Sequence, residues 1–116
     1  MPDETVWRTM LFDFYGELLT DKQREYFDLH YNNDLSLSEI AEQTGISRQG
    51  VWDNIRRAQD AMEDMEKKTG LVKRFLEINE AVTDIQTELE GLRNTPPEEL
   101  GSAIDGIKAR LEGLKG

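Results

Sequence analysis

A chain of 116 residues with a formal charge of -10 and no cysteine is sized for one small core with an extended arm. Its aromatic content of 8% speaks against an all-β sandwich, and the missing cysteines exclude a disulfide scaffold, a thiolate metal site and a cysteine nucleophile, which suits the cytoplasm. The opening MPDETVWRTM is acidic where a secretory signal is basic, and no apolar run approaches the roughly 18 residues of a membrane span, so a soluble, unexported protein is expected.

In chain order, Trp7, Met10, Leu11, Phe14, Tyr15 and Leu18 fall at the spacing of one helical face, predicting a first helix within 4–19. Thr20 and Gln23 form a capping box that starts a second, which carries Phe27 and Tyr31 one turn apart and ends in Asn32-Asn33-Asp34, residues that bond their own backbone in turns. Ser36 with Glu39 is a second capping box, and Leu35 with Ile40 can staple the same helix start. Gly45 supplies the positive backbone angle of a tight turn, and Ser47 can cap the helix that follows. From there Val51, Ile55, Ala58, Met62 and Met65 make a 4,3 seam that wants a partner.

Thr69-Gly70 interrupts the seam, and Val72, Phe75, Ile78, Val82, Ile85, Leu89 and Leu92 resume it, predicting a helix over 71–93. Thr95 is placed to cap a last helix, with Pro96 at its first position and Glu98 completing a third box. Leu100, Ile104, Ile107, Leu111 and Leu114 stripe that helix, and glycines 91, 101, 106 and 113 weaken the C-terminal arm. No strand-like alternation or repeat is present, so the fold class is all-α: a helix-turn-helix domain over 1–70 with an N-terminal packing helix, and a C-terminal helical arm over 71–116.

The stretch SEIAEQTGISRQGVWDNIRRA has what a helix-turn-helix needs. Ala41 is small where two helices cross, Gly45 makes the turn, and Ile46, Val51 and Ile55 are inner anchors. With Val51 and Ile55 inward, steps of 100° turn Gln49, Trp52, Asp53 and Arg56 outward and leave Arg48 and Arg57 on the flanks. Gln49 can grip adenine, Asp53 can accept from cytosine and Arg56 can reach guanine or a phosphate, while Ser47, Arg48 and the helix start can hold a phosphate. Trp52 suits a contact with this protein, a second subunit or a stacked base. Residues 1–35, 36–58 and 59–116 carry net charges of -5, 0 and -5, so the candidate reading element is the one stretch free of net negative charge.

LTDKQREYFDLHYNNDLSLSEIAEQTGISRQGVWDNIRRA, residues 19–58, resembles the fourth region of bacterial sigma factors, the helix-turn-helix that reads promoter DNA. It departs from that pattern at Trp52-Asp53-Asn54, where basic residues are usual. ISRQGVWDNIRRA together with FYGELLTDKQREYFDLHYNNDLSLSEIAE is more similar to the YlxM family of small helix-turn-helix proteins, over about residues 10–72. That resemblance implies an all-α dimer with a sigma-like motif and a part in the signal recognition particle pathway; Gly50 stands where the family more often has alanine.

Two functions follow. The first is a dimeric regulator that lays each recognition helix in a major groove of double-stranded DNA, against the repulsion of an acidic body. The second is an accessory whose helix pair contacts signal recognition particle RNA or protein, including its GTPases, with Trp52 as anchor. An enzyme is not expected: His30 is the only histidine, at a helix position read as exposed, and neither a metal set, a phosphate-cradling glycine loop nor a serine elbow is present. No cofactor is expected. Trp7, Leu11, Phe14 and Leu18 form an apolar face read as the homodimer interface.

Overall fold

The computed structural model describes residues 2–115 and contains, among them, six α-helices and no strand. These are α1 (Glu4–Tyr15), α2 (Asp21–Phe27), α3 (Leu37–Thr44), α4 (Arg48–Thr69), α5 (Leu71–Gly91) and α6 (Pro97–Gly113). Contacts divide the chain into two compact units, Met1–Val72 and Lys73–Gly116.

In the first unit, α4 is the spine against which α1, α2 and α3 all pack. Leu11, Phe27, Ile40, Val51, Ile55 and Met62 lose essentially all contact with solvent, so one face of α4 receives one or more anchors from each of the other helices. The helix starts are fixed by side chains. The Asp3 carboxylate accepts from the Val6 N–H at 2.9 Å, and Thr20/Gln23 and Ser36/Glu39 both form reciprocal capping boxes, satisfying amides that have no intrahelical partner. The Ser36 bonds also hold the Glu39 carboxyl below its usual range.

Two expected helices are shorter than their apolar pattern. The first stops at Tyr15 and tightens into a 3-10 turn over Gly16–Leu18, because Leu19 and Thr20 are already extended to cap α2. The second passes after Phe27 into a π turn over Asp28–Asn32, where the Asp28 carboxylate takes the Asn32 amide at 2.7 Å and its carbonyl takes Asn33 Nδ2 at 3.1 Å. Asp34 then adopts a left-handed φ of 57°, tolerated by a short polar side chain. His30 is half-buried in this turn, its Nδ1 bonded to the Leu35 carbonyl at 2.8 Å. That corrects the reading of His30 as an exposed surface residue: it ties the α2–α3 connection.

At the other end of α4, Gly70 turns the chain with a φ of 64°. Glu66, buried on the α4 seam, accepts from the Tyr15 hydroxyl at 2.6 Å and from the Val72 N–H at 3.0 Å. Tyr15 also bonds the Thr69 hydroxyl at 2.5 Å. Burial, and then the hydrogen bond to Glu66, push the Tyr15 phenol above its ordinary pKa, since both disfavour the phenolate.

In the second unit, α5 and α6 form an antiparallel hairpin. Arg74 Nη2 donates to the Leu114 carbonyl at 2.8 Å, and Arg110 pairs with Asp84 at 3.6 Å and with Glu88. Ile85 and Ile107 are its buried apolar residues. The expected third capping box is absent: Pro96, not Thr95, is the N-cap, and α6 begins at Pro97. Thr95 lies one residue too far out, and its hydroxyl donates to the Gly91 carbonyl at 3.0 Å. Gly101 and Gly106 continue the helix.

Candidate nucleic-acid interface

The helix-turn-helix is built from α3, the turn at Gly45 and the first turns of α4. Gly45 has φ 79° and donates its N–H to the Ala41 carbonyl at 2.9 Å, closing α3 as a left-handed C-cap does. Two residues later the Ser47 hydroxyl oxygen accepts from the Gly50 N–H at 3.0 Å and starts α4. Val51, Ile55 and Ala58 face inward with at most 1% of their surface exposed, which fixes the rotation of the helix about its own axis. The opposite side is thereby aimed at solvent.

On that side Ser47, Arg48, Gln49, Arg56 and Arg57 are exposed, while Trp52 and Asp53 are half-buried between them. All seven residues expected to touch nucleic acid therefore keep accessible surface on one stretch of helix. Among the described residues, none of Arg48, Arg56 and Arg57 is ion-paired, so three guanidinium groups are available to an outside anion. Ser47 spends an oxygen lone pair on its cap yet keeps its hydroxyl hydrogen to donate.

Asp53 is the residue whose situation differs from expectation. Gln49 Nε2 donates to its Oδ1 at 2.9 Å, so the two side chains act as a pair. Gln49 retains its carbonyl oxygen and a second amide hydrogen, the combination that meets the N6 and N7 edge of adenine. Asp53 sits one turn behind it and fixes its amide. Asn54, read from the sequence only as a departure from the sigma pattern, has a structural role: its Nδ2 donates to the Gly50 carbonyl at 2.9 Å, bonding back to a turn weakened by glycine. No group of three or more metal-ligating side chains occurs among the described residues, and no helix is long and apolar enough to cross a membrane.

The face read as a dimer interface is split. Leu11 has no exposed surface, because α1 packs along α4 of the same chain, so it belongs to the core and not to an interface. Trp7 is half-buried, and its Nε1 donates to Glu63 Oε1 at 3.2 Å. Phe14 and Leu18 keep 39% and 68% of their surface, and Leu18 lies in the 3-10 turn and not on α1. Arg8 of α1, half-buried, stacks over the Tyr31 ring at 4.4 Å and pairs with Glu4.

This geometry coincides with a family. The model of the family described as "UPF0122: Putative helix-turn-helix protein, YlxM / p13 like" matches residues 3–98. The chain belongs to that family. The match takes in every helix from α1 to α5 and the start of α6, beyond the stretch that carried the resemblance. A UPF0122 protein of Thermoanaerobacter sp. (strain X514) is 45% identical over 115 residues, covering 98% of each chain. A UPF0122 protein of Caldanaerobacter subterraneus subsp. tengcongensis is 51% identical over 86 residues, 74% of each. One of Halalkalibacterium halodurans is 38% identical over 107 residues, 92% of this chain and 96% of its own.

Proposed function

We propose that this UPF0122 protein is a cytoplasmic regulator that binds nucleic acid, not an enzyme, and that it lays the first three turns of α4 in the major groove of duplex DNA. The observation carrying this reading is the exposed face of α4 itself: three arginines without ion pairs and an amide held ready by Asp53, on a helix whose rotation is locked by Val51, Ile55 and Ala58. In the roles assigned here, Ser47, Arg48 and Arg57 hold phosphates, Gln49 reads adenine, and Arg56 reaches guanine or a phosphate. The acidic body opposes long-range attraction, so binding is weak at physiological salt and steeply salt-dependent.

A second reading rests on Trp52. A half-buried indole in the middle of a polar face suits stacking on an unpaired base, which is the contact an RNA of the signal recognition particle offers.

Fluorescence anisotropy of the full chain over a salt series, against a random duplex pool and against signal recognition particle RNA, tests both. With three arginines engaged, the slope of log affinity on log salt is expected near about -3 per chain for duplex, and Arg56→Ala lowers it by about one. Absence of duplex binding at low salt overturns the first reading. RNA binding that Trp52→Ala abolishes establishes the second in its place.

A further inference from the structure

An aspartate set among arginines on a helix ordinarily pairs with them, and Asp53 does not. Arg56 and Arg57 stand three and four residues further along α4, the spacings at which a helix brings opposite charges together. Among the described residues, neither is ion-paired to Asp53. Its Oδ1 accepts instead from Gln49 Nε2 at 2.9 Å, one turn back toward the start of the helix. Gln49 is the second residue of α4, in the turn that meets base edges when a recognition helix enters a major groove.

The bond decides which way the Gln49 amide faces. A free glutamine turns its terminal group over at little cost, so it presents either a carbonyl beside an amine hydrogen or both amine hydrogens together. Beside the Asp53 carboxylate one arrangement survives, because turning the group over sets its carbonyl oxygen against a carboxylate oxygen, and neither can donate. One amine hydrogen is thereby committed to Asp53. What remains for a base is one donor and one acceptor.

That remainder separates the two purines. Adenine shows an acceptor at N7 beside a donor at N6, whereas guanine shows acceptors at both N7 and O6. The Gln49 amide satisfies adenine completely. Guanine needs two donors, which a free glutamine amine has and the bound one lacks, so its O6 faces the Gln49 carbonyl oxygen. The charge of Asp53 one turn behind widens the gap, since it repels two acceptors more strongly than an acceptor beside a donor. Discrimination of this kind comes from a cost built against the wrong ligand as much as from contacts to the right one.

We infer that Asp53 is a specificity-determining residue that acts through Gln49: it makes the amide reject guanine at the base pair where Gln49 accepts adenine. The inference rests on the reading of α4 as a duplex-DNA helix and deepens it. It also gives a use to an acid that lowers phosphate attraction on a face carrying three arginines.

The test is selection by the full chain from a library of random-sequence duplexes, with wild type, Gln49→Ala, Asp53→Asn and the double variant compared. Wild type is expected to select a position where adenine exceeds guanine about tenfold or more, and Gln49→Ala to erase that preference. Asparagine offers a donor as well as an acceptor and makes both amide orientations equal, so Asp53→Asn is expected to bring adenine and guanine within about threefold while tightening duplex binding in general. Asp53→Ala, which frees the amide outright on a stronger helix former, must do the same. A merely structural role weakens all sequences alike and leaves the ratio unmoved. An unchanged ratio in folded Asp53 variants overturns the inference. So does a change of base preference that Asp53→Asn still produces in the Gln49→Ala background, since Asp53 then touches the base itself. Duplex binding without any sequence preference overturns it while the reading of α4 stands, and absence of duplex binding at low salt removes both.

Discussion

The two units are both mainly helical but held differently. Among the described residues, Met1–Val72 contains eleven of the thirteen buried apolar residues, and Lys73–Gly116 contains two. In the first, three helices converge on α4, each helix start is fixed by a side-chain cap, and the rotation of the reading face follows from core packing. In the second, two helices share one seam closed by arginine contacts. A helical pattern in sequence thus reports an amphipathic face; how much that face stabilises depends on how many elements come to cover it.

The sharpest way to break this comparison is to remove one isoleucine from each unit. Ile55→Ala opens a cavity at a position 1% exposed on the spine and is expected to cost about 2–5 kcal/mol. Ile107→Ala, at 7% exposure in the hairpin, is expected to cost about 1–2 kcal/mol, since a shallow site collapses or admits water. Urea unfolding followed by circular dichroism measures both. Equal losses would show that the hairpin is as tightly packed as the helix-turn-helix unit.

A smaller effect probes the end of α4. Glu66→Ala removes the carboxylate that accepts from both the Val72 N–H and the Tyr15 hydroxyl, expected to cost about 1–3 kcal/mol. The raised Tyr15 pKa gives the pH dependence. The unfolded phenol ionises near about 10 while the folded one stays protonated, so the unfolded state binds fewer protons and stability falls as pH rises through that range. The stabilisation is complete below it. Urea midpoints between pH 8 and 11 should show an alkaline decline that Tyr15→Phe flattens; an unchanged decline would place its origin elsewhere.

Much of this was legible in the sequence because it is local. Capping boxes at Thr20 and Ser36, the turn at Gly45 and the cap at Ser47 need residues within a few positions of one another, and all four are present. What escaped depends on residues far apart. Glu66 belonged among the solvated acids until Tyr15, 51 positions away, was placed on it. The signal was that Glu66 continues the 4,3 seam from Met62. Leu11 belonged to an outer face for the same reason: periodicity shows that a stripe is apolar, not which side of the chain covers it. Thr95 failed by one residue, because consecutive prolines at 96 and 97 allow either to open the helix, and Pro97 does.

The smallest expected effect lies on the reading helix. Gly50 is the third residue of α4 and has ordinary helical geometry, so its cost is the greater backbone freedom of the unfolded chain. A Cβ there would sit 3.2 Å from the Ser47 hydroxyl oxygen and 3.5 Å from Ile46 Cδ1. The second distance is ordinary contact, and the first asks the capping hydroxyl to move by a few tenths of an ångström. That hydroxyl is held by a 3.0 Å bond to the Gly50 N–H and lies at the surface, where a small rotation is available. Gly50→Ala is therefore expected to stabilise the chain by about 0.5 kcal/mol, less than the ~1 kcal/mol of an unhindered helix interior. Thermal unfolding of Gly50→Ala in the wild-type and Ser47→Gly backgrounds separates the two terms. A larger gain without the hydroxyl would identify crowding at the cap as the opposing term, and equal gains would show that the cap yields freely.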